Sequence, residues 1–200
     1  MAADGGFLFF DCETTGLPLT RRFSPEDVSG WPRLVQLAWG LYDLPGEEIE
    51  SRCHIVKPKG FLIPAEATLI HGISQYQALK AGKDLRSVVE EFRAVAERSG
   101  VTLVAHNMDY DCGVMAGELV RLELPLDFLD RARVCTMKET TEFCRLPRPG
   151  GWGFKWPTLV ELHTHLFGTP YDGAHDAAAD LDACRRCFFR LLEDGLIELP

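Results

Sequence analysis

The sequence FFDCETTG, residues 9–16, specifies the first strand of this chain and its first group of polar candidates. The apolar residues there predict a buried strand over residues 7–11, with Asp11 and Glu13 two positions apart at its end. Side chains two positions apart on a strand project from the same face. Two carboxylates held together would repel and raise each other's pKa unless positive charge lay between them. The pattern therefore indicates a pair of hard divalent cations.

The overall composition limits the class of protein. The chain has 200 residues, of which 46% are apolar, and we expect a single domain over residues 1–200. No apolar run reaches membrane-spanning length, and the N-terminal sequence MAADGG does not resemble a signal peptide. Seven scattered cysteines are typical of reduced thiols, which predicts a cytoplasmic protein with no membrane partner. The net charge of −9 argues mildly against a polyanionic partner, although bound cations would neutralise some carboxylates.

The order of the predicted elements favours an α/β fold. Strands are predicted over residues 7–11, 33–44 and 49–57, and three consecutive strands suggest an antiparallel meander. The segment 18–32 between the first two is predicted to be a surface loop. Alternating helices and strands follow, which implies a mixed central sheet with helices on both faces. These later elements are strands over 101–105 and 133–137, and helices beginning at Asp84 and Asn107 and spanning 158–167 and 176–194.

Two further acidic segments lie downstream. In AHNMDYDCG, Asp111 is one turn into the helix that Asn107 is expected to cap. An inner strand ending just before a helix places that first turn at the edge of the sheet, where α/β sites gather. In GAHDAAAD, His175 precedes the last helix and Asp180 lies inside it. A five-residue offset suits a histidine on the entry loop and a carboxylate one turn further along.

These segments carry a family resemblance. FFDCETTGLP, AHNMDYD and the pair His175 and Asp180 occur in the order found in DEDDh-type 3′–5′ exonucleases of the DnaQ-like family, which includes the polymerase III proofreading epsilon subunit. The sequence HGIS, residues 71–74, matches a further segment of that family. The chain resembles this family from residue 7 to about residue 192. The resemblance implies a ribonuclease-H-like fold with a central mixed five-stranded sheet, a three-strand meander and flanking helices.

The resemblance also implies a function. The chain would be a metal-dependent hydrolase that removes nucleoside 5′-monophosphates from 3′ ends of single-stranded DNA or RNA, using two Mg²⁺ or Mn²⁺ ions. A polymerase is a further candidate partner. The metal ligands implied are Asp11, Glu13, Asp111 and Asp180, with His175 as general base and with Thr14, Thr15, Gly16, Leu17, His71 and Asn107 contacting the substrate.

Alternatives remain open from the sequence. The same site would suit an exoribonuclease that processes RNA, or the fold could serve as a non-catalytic module that binds a polymerase or nucleic acid. Asp176 and Asp182 are rival ligands, interpreted here as a helix N-cap and a solvent-facing acid. His71 could instead be a structural turn residue.

Two loops combine cations with other features of single-strand binding. Arg21 and Arg22 follow the first motif. Residues 145–156 interleave basic and aromatic side chains, a pattern that suits backbone neutralisation and base stacking. The opposing interpretation is that the tryptophans pack the second loop against the body and the arginines are merely solvated. The second loop contains Arg145, Arg148, Trp152, Phe154, Lys155 and Trp156.

Overall fold

A computed structural model describes residues 5–20 and 22–199 of the protein. Arg21 lies outside the described residues. Within them, no helix is both long and apolar enough to cross a bilayer. The strands are β1 (Gly6–Thr14), β2 (Leu34–Tyr42), β3 (Glu48–Ile55), β4 (Val101–Ala105) and β5 (Arg133–Cys135). The helices are α1 (Ala65–His71), α2 (Gln75–Ala81), α3 (Leu85–Ala96), α4 (Met108–Arg121), α5 (Thr136–Glu139), α6 (Thr141–Cys144), α7 (Leu159–Phe167) and α8 (Ala177–Glu193), with a 3₁₀ turn at Asp127–Asp130.

The five strands form one mixed sheet in the order β3-β2-β1-β4-β5. β2 pairs antiparallel with both β1 and β3, which confirms the predicted meander. β4 and β5 continue the sheet in parallel, each reached through helices. β1 is therefore a central strand with an antiparallel neighbour on one side and a parallel neighbour on the other. Its C-terminal end lies beside that of β4, where α/β folds place their sites.

The alternation of apolar side chains along β1 builds a core on each face of the sheet. Leu8 and Phe10 pack with residues of α3 and α4, including Phe92. Phe7 and Phe9 point to the opposite face and pack with residues of α7 and α8, including Phe188. Because strand side chains alternate, the odd-numbered residues at the end of β1 also face α8.

Several element boundaries differ from those predicted. β1 extends three residues beyond the predicted end at residue 11, and Glu13 lies on the same strand as Asp11, as predicted. The predicted strand 133–137 ends at Cys135, because Thr136 begins the short helix α5. The predicted helices are present, and the last one is bounded by Asp176 as N-cap and Asp194 as C-cap.

The segment 18–32 is only partly a surface loop, which corrects the prediction. Trp31 at its end is 4% exposed and packs on α4. A Cβ atom at Gly113 would stand 2.1 Å from the Trp31 ring, so only glycine admits the ring there. Arg121 of α4 donates hydrogen bonds to the carbonyl oxygens of Val28 and Trp31. The loop following the first motif is thus fixed against the second-motif helix.

Candidate active site

Asp11 and Glu13 project from β1 on the side of the sheet that α8 covers. They share that face with Phe7 and Phe9, as the alternation of the strand requires. Glu13 is buried and pairs in register with Gln36 of β2. The two carboxylates therefore stand on a central strand, and its pairing with β2 at both positions fixes their spacing.

Asp111 reaches the same strand from the first turn of α4. Its Oδ1 accepts a hydrogen bond from the backbone N–H of Cys12 over 3.1 Å, and the residue is only 2% exposed. Cys12 lies between the two β1 carboxylates, so this bond brings a third carboxylate to them. The second and first motifs are thereby joined directly, although 99 positions separate the two residues in sequence.

Asp180 and His175 come from the entry to α8. The backbone N–H of His175 donates to Oδ2 and Oδ1 of Asp180 at 3.1 and 3.3 Å. His175 has a left-handed backbone with φ 71°, which turns the chain sharply before the helix. Its side chain is exposed. The loop therefore presents an accessible imidazole beside a carboxylate that it also holds in place.

The carboxylates of the site lie close enough together to raise one another's pKa values. Burial raises the pKa of Asp11 well above its ordinary value, and Asp111, Asp180 and Glu13 raise it further. Burial, followed by the charges of Asp180, Asp111 and Asp176, raises the pKa of Glu13 to about 8. The pKa of Asp180 is also raised, first by burial. Added positive charge would therefore favour the ionised form of these carboxylates.

The donor set fits a hard divalent cation. Ligand atoms of Glu13, His175 and Asp180 all lie within 4.8 Å of one another. Asp111 raises the pKa of both Asp11 and Glu13, so its carboxylate oxygens lie close to theirs. Oxygen-rich sites of this kind suit Mg²⁺ and Mn²⁺ rather than soft metals. A cation here would relieve the mutual repulsion that the raised pKa values record.

The two rival acids lie where the sequence predicts them. Asp176 caps α8, accepting hydrogen bonds from the backbone N–H groups of Ala178 and Ala179 at 3.1 Å. Asp182 is exposed and forms ion pairs with Arg185 and Arg186 at 2.7 and 3.2 Å. Asp176 still contributes to the electrostatics of the site, because its charge raises the pKa of Glu13.

The end of the first motif is fixed by hydrogen bonds of its own. Oγ1 of Thr14 lies 2.7 Å from the carbonyl oxygen of Gly16 and 2.6 Å from the hydroxyl of Tyr110. Oγ1 of Thr15 accepts from the backbone N–H of Arg33 over 2.9 Å. Leu17, just beyond, is 83% exposed. Among these predicted substrate-binding residues, Leu17 has the free side chain, and the threonines shape the backbone.

His71 and Asn107 flank the first and second motifs. His71 is buried, and its Nδ1 accepts from the backbone N–H of Ile73 over 3.1 Å, while its Nε2 has no partner among the described residues. Burial lowers the pKa of His71, and the backbone of Thr14 opposes that shift, so the imidazole lies against the first motif. Asn107 is the N-cap residue of α4, as predicted, although its backbone is left-handed and its side chain makes no cap hydrogen bond.

Sequence reasoning missed three residues that position the site. Tyr171 donates its hydroxyl hydrogen bond to Oδ1 of Asp180 over 2.6 Å. Oε1 of Gln36 accepts from the backbone N–H of Ala177 over 3.2 Å and so joins β2 to the start of α8. Tyr110 is the third, and its hydroxyl lies 2.6 Å from Oγ1 of Thr14. Its position next to Asp111 in the second motif is the one sequence feature that could have indicated this role. No periodicity links Tyr171 or Gln36 to the carboxylates.

The fold and the site together define a class of protein: an α/β protein with a mixed five-stranded sheet and a buried carboxylate cluster suited to divalent cations. The profile of the RNase T family, described as exonuclease, matches residues 8–188. The chain belongs to this exonuclease family.

Two bacterial proteins with similar sequences are much longer than this chain. The DNA polymerase III PolC-type of Streptococcus thermophilus is 29% identical over 188 residues, which is 94% of this chain and 11% of that protein. The 3′-5′ exonuclease DinG of Bacillus subtilis is 28% identical over 194 residues, 97% of this chain and 18% of that protein. The chain thus spans less than a fifth of the length of either relative.

Solved structures share the fold. Exonuclease I of Escherichia coli, in a zinc-bound complex with single-stranded DNA, superposes with a TM-score of 0.75 at 21% identity, covering 96% of this chain and 41% of that one. A moderately thermophilic exonuclease I from Methylocaldum szegediense gives a TM-score of 0.73 at 24% identity, covering 94% of this chain and 40% of that one. These structures confirm the predicted mixed sheet with its meander and flanking helices.

Proposed function

We propose that this protein is a metal-dependent 3′–5′ exonuclease that hydrolyses single-stranded nucleic acid from its 3′ end and releases nucleoside 5′-monophosphates. One observation carries the proposal: the hydrogen bond of Asp111 to the backbone of Cys12 joins the second motif to Asp11 and Glu13. Membership of the exonuclease family supports the same activity. A binding protein would have no use for carboxylates that raise each other's pKa at a cost in stability.

Asp11, Glu13, Asp111 and Asp180 would hold two Mg²⁺ or Mn²⁺ ions. Two bound metal ions would stabilise the charge on the attacking and leaving oxygens of an in-line displacement at phosphorus. The protein's contribution is to hold the four carboxylates at fixed positions on β1, α4 and α8. Their raised pKa values support this assignment, since such groups gain most from added positive charge.

His175 would accept the proton of the attacking water. Its side chain is exposed and lies within 4.8 Å of ligand atoms of Glu13 and Asp180. Histidine is the side chain that most often serves as a general acid or base in enzymes. The left-handed backbone of His175 and the hydrogen bond from its backbone N–H to Asp180 fix the position of the backbone from which the imidazole extends.

The terminal nucleotide would lie against the end of the first motif. The exposed side chain of Leu17 offers an apolar surface to the base. His71, which is buried and lies against the backbone of Thr14, would line this pocket. Thr14, Thr15 and Gly16 would shape the pocket by their backbone, and the Asn107 side chain, which does not cap α4, is free to contact the strand.

The substrate and setting are proposed from relatives and composition. Exonuclease I of Escherichia coli has been solved with a dT13 oligonucleotide, which supports single-stranded DNA as the first substrate to test. The name of the PolC-type relative supports a polymerase as a candidate partner. All seven cysteines are free, which supports a cytoplasmic location.

The test is digestion of a 5′-labelled single-stranded DNA oligonucleotide with Mg²⁺ and with EDTA. We expect a ladder that shortens from the 3′ end and that disappears with EDTA or in Asp11→Ala. Asp182→Ala is the matched control, because Asp182 is an exposed acid only two residues after Asp180. Retained cleavage in Asp11→Ala would refute the site.

An RNA oligonucleotide of the same sequence is digested in parallel. Faster cleavage of RNA would identify an exoribonuclease with the same site. Absence of cleavage on both substrates would refute the proposed activity and favour a non-catalytic module that binds a polymerase or nucleic acid.

A further inference from the structure

Residues 146–155 form a short β-hairpin between α6 and α7. The backbone N–H of Lys155 donates to the carbonyl of Leu146 over 2.9 Å, and that of Arg148 donates to Gly153 over 3.2 Å. An antiparallel bridge joins Pro147 to Phe154 between these bonds. The backbone bonds give this segment a definite shape, although its Pro and Gly content indicates an irregular loop.

The 146–155 hairpin exposes aromatic rings rather than packing them. Trp152 at its tip is 99% exposed, and Trp156, just past its second strand, is 60% exposed. The other two tryptophans, Trp31 and Trp39, are buried. The interpretation that the loop tryptophans pack the segment against the body is therefore wrong. Burying an indole ring contributes substantially to stability, so a fully exposed one at a defined tip indicates a role outside the fold.

The cations of this segment are available as well. Arg145 and Arg148 are exposed, and neither forms an ion pair within the described residues. Arg145 donates only to the carbonyl oxygen of Glu142, over 3.2 Å. Lys155 differs, because its Nζ lies 2.6 Å from Glu161. In a chain of net charge −9, two unpaired arginines beside an exposed indole are a local reversal of sign.

The base of the hairpin is attached to the candidate active site. Nε2 of His106 lies 3.0 Å from the carbonyl oxygen of Pro157, and Nδ1 lies 3.0 Å from Oγ1 of Thr136. Burial lowers the pKa of His106 to about 4, so the ring is neutral and its one N–H donates to the carbonyl. His106 directly precedes Asn107 at the end of β4. The base of the hairpin therefore lies at the edge of the sheet that carries the carboxylates.

We infer that the 146–155 hairpin is a binding arm for a single-stranded polynucleotide, holding the strand several nucleotides upstream of the terminal nucleotide. Trp152 stacks on a base, and Arg145 and Arg148 contact the phosphate backbone. Aromatic stacking combined with backbone neutralisation is how single strands are bound without sequence preference. This inference rests on the proposed function for the position of the 3′ end, but binding by the arm does not require hydrolysis.

The geometry sets a length dependence. Pro157 lies five positions after Trp152, and an extended chain spans at most about 17 Å over that length. Stacked nucleotides rise about 3.4 Å each along one strand, so this reach corresponds to roughly five nucleotides. We therefore expect an oligonucleotide of about three nucleotides to occupy the active site without reaching Trp152. A long one would engage both.

The first test measures binding without hydrolysis. The affinity for a labelled oligothymidylate of about 20 nucleotides is measured by fluorescence anisotropy in EDTA, for the wild type, Trp152→Ala and Trp152→Phe. We expect Trp152→Ala to bind about 5- to 150-fold more weakly, the range of one lost stacking contact. Trp152→Phe should recover most of the affinity because it keeps an aromatic face. Leu44→Ala is the control, since Leu44 is 66% exposed in the β2–β3 turn.

The second test addresses the arginines. The affinity of Arg145→Ala/Arg148→Ala is measured over a range of salt concentrations. Each phosphate contact on a single strand contributes about 0.7 to the slope of log affinity against log salt, so the slope should fall by about 1.4. Arg52→Ala, which removes an exposed arginine from β3, should leave the slope unchanged.

The outcomes separate the arm from the active site. If the wild type binds the long oligonucleotide without cleaving it and Trp152→Ala binds it weakly, the arm stands and the proposed hydrolysis fails. If both proteins bind equally, within twofold, the arm is refuted. In hydrolysis with Mg²⁺, Trp152→Ala should raise KM for the long substrate alone, with kcat unchanged. An equal rise in KM for short and long substrates also refutes the arm.

Discussion

Tyr171 donates the hydrogen bond of its hydroxyl to Oδ1 of Asp180 over 2.6 Å. The backbone N–H of His175 donates to Oδ2 of the same carboxylate over 3.1 Å. Two bonds from the loop before α8 therefore fix the orientation of Asp180. Residues that hydrogen-bond a metal ligand fix its geometry and tune its affinity for the metal. Tyr171 is a positioning residue for the carboxylate that the third motif supplies.

Tyr171→Phe should weaken the binding of Mn²⁺ about 10- to 100-fold, the usual cost of losing such a partner. The substitution keeps the ring, which packs against His163 at 5.4 Å between centroids, and removes only the hydroxyl. Calorimetric titration of the metal-free protein measures the effect directly. Tyr76→Phe is the control, since Tyr76 is 71% exposed. Equal Mn²⁺ affinity in Tyr171→Phe and the wild type would contradict this role.

The metal-free protein should lose stability as the pH rises. The pKa of Glu13 is raised from 4.5 to about 8, so between these values the native state holds a proton that the unfolded chain has released. The free energy of unfolding must then fall with increasing pH over this window. The contribution of the protonated carboxyl is fully present below pH 4.5 and is lost as the pH passes 8. Thermal melts in EDTA at several pH values measure this slope.

Glu13→Gln replaces the carboxyl with a neutral group of the same shape. At pH 8 in EDTA we expect its melting temperature to exceed that of the wild type by about 3 °C or more, since each kcal/mol shifts the midpoint by about 2–4 °C in a chain of this size. Saturating Mg²⁺ should raise the melting temperature of the wild type and shift that of the variant less. A variant that melts below the wild type at pH 8 would contradict the repulsion.

His175→Asn should lower kcat by about 10²- to 10⁴-fold, the usual contribution of a general base. Asparagine tolerates the left-handed backbone at this position, so the fold should be kept. His165→Asn, an exposed histidine in α7, is the control. The comparison requires unchanged melting temperatures in both variants. A rate within twofold of the wild type would exclude His175 as the base.

Substitution of Glu118 should change the stability of the fold, and this prediction does not depend on the proposed activity. Its carboxylate is fully buried, accepts from Nε of Arg33 over 2.9 Å and from the backbone N–H of Leu34 over 2.8 Å, and so joins α4 to the start of β2. Glu118→Ala should cost about 3–5 kcal/mol, because it leaves a cation and a buried N–H without a partner. Glu90→Ala, which removes an exposed pair with Arg86, should cost less than about 1 kcal/mol. Urea unfolding measures both, and equal losses would contradict the assignment.

Much of the fold could be predicted from local patterns. The apolar alternation of β1 and the helical spacing of α3, α4 and α8 are properties of neighbouring residues, so the sequence predicts them correctly. The errors occur where local preference competes with packing. The strand predicted over 133–137 ends at Cys135 because a helix begins there, and Trp31 of a polar loop is buried because Gly113 leaves space for its ring.

The sequence by itself determined the family of the chain and the order and type of its candidate site residues, which are Asp11, Glu13, Asp111, His175 and Asp180. Only the tertiary structure decided how they are held. The bond from Cys12 to Asp111 spans 99 positions, and the bond from Ala177 to Gln36 spans 141. Such contacts depend on which face of a helix packs against which face of a strand. The packing of the whole core determines this arrangement, and the local period of the sequence does not.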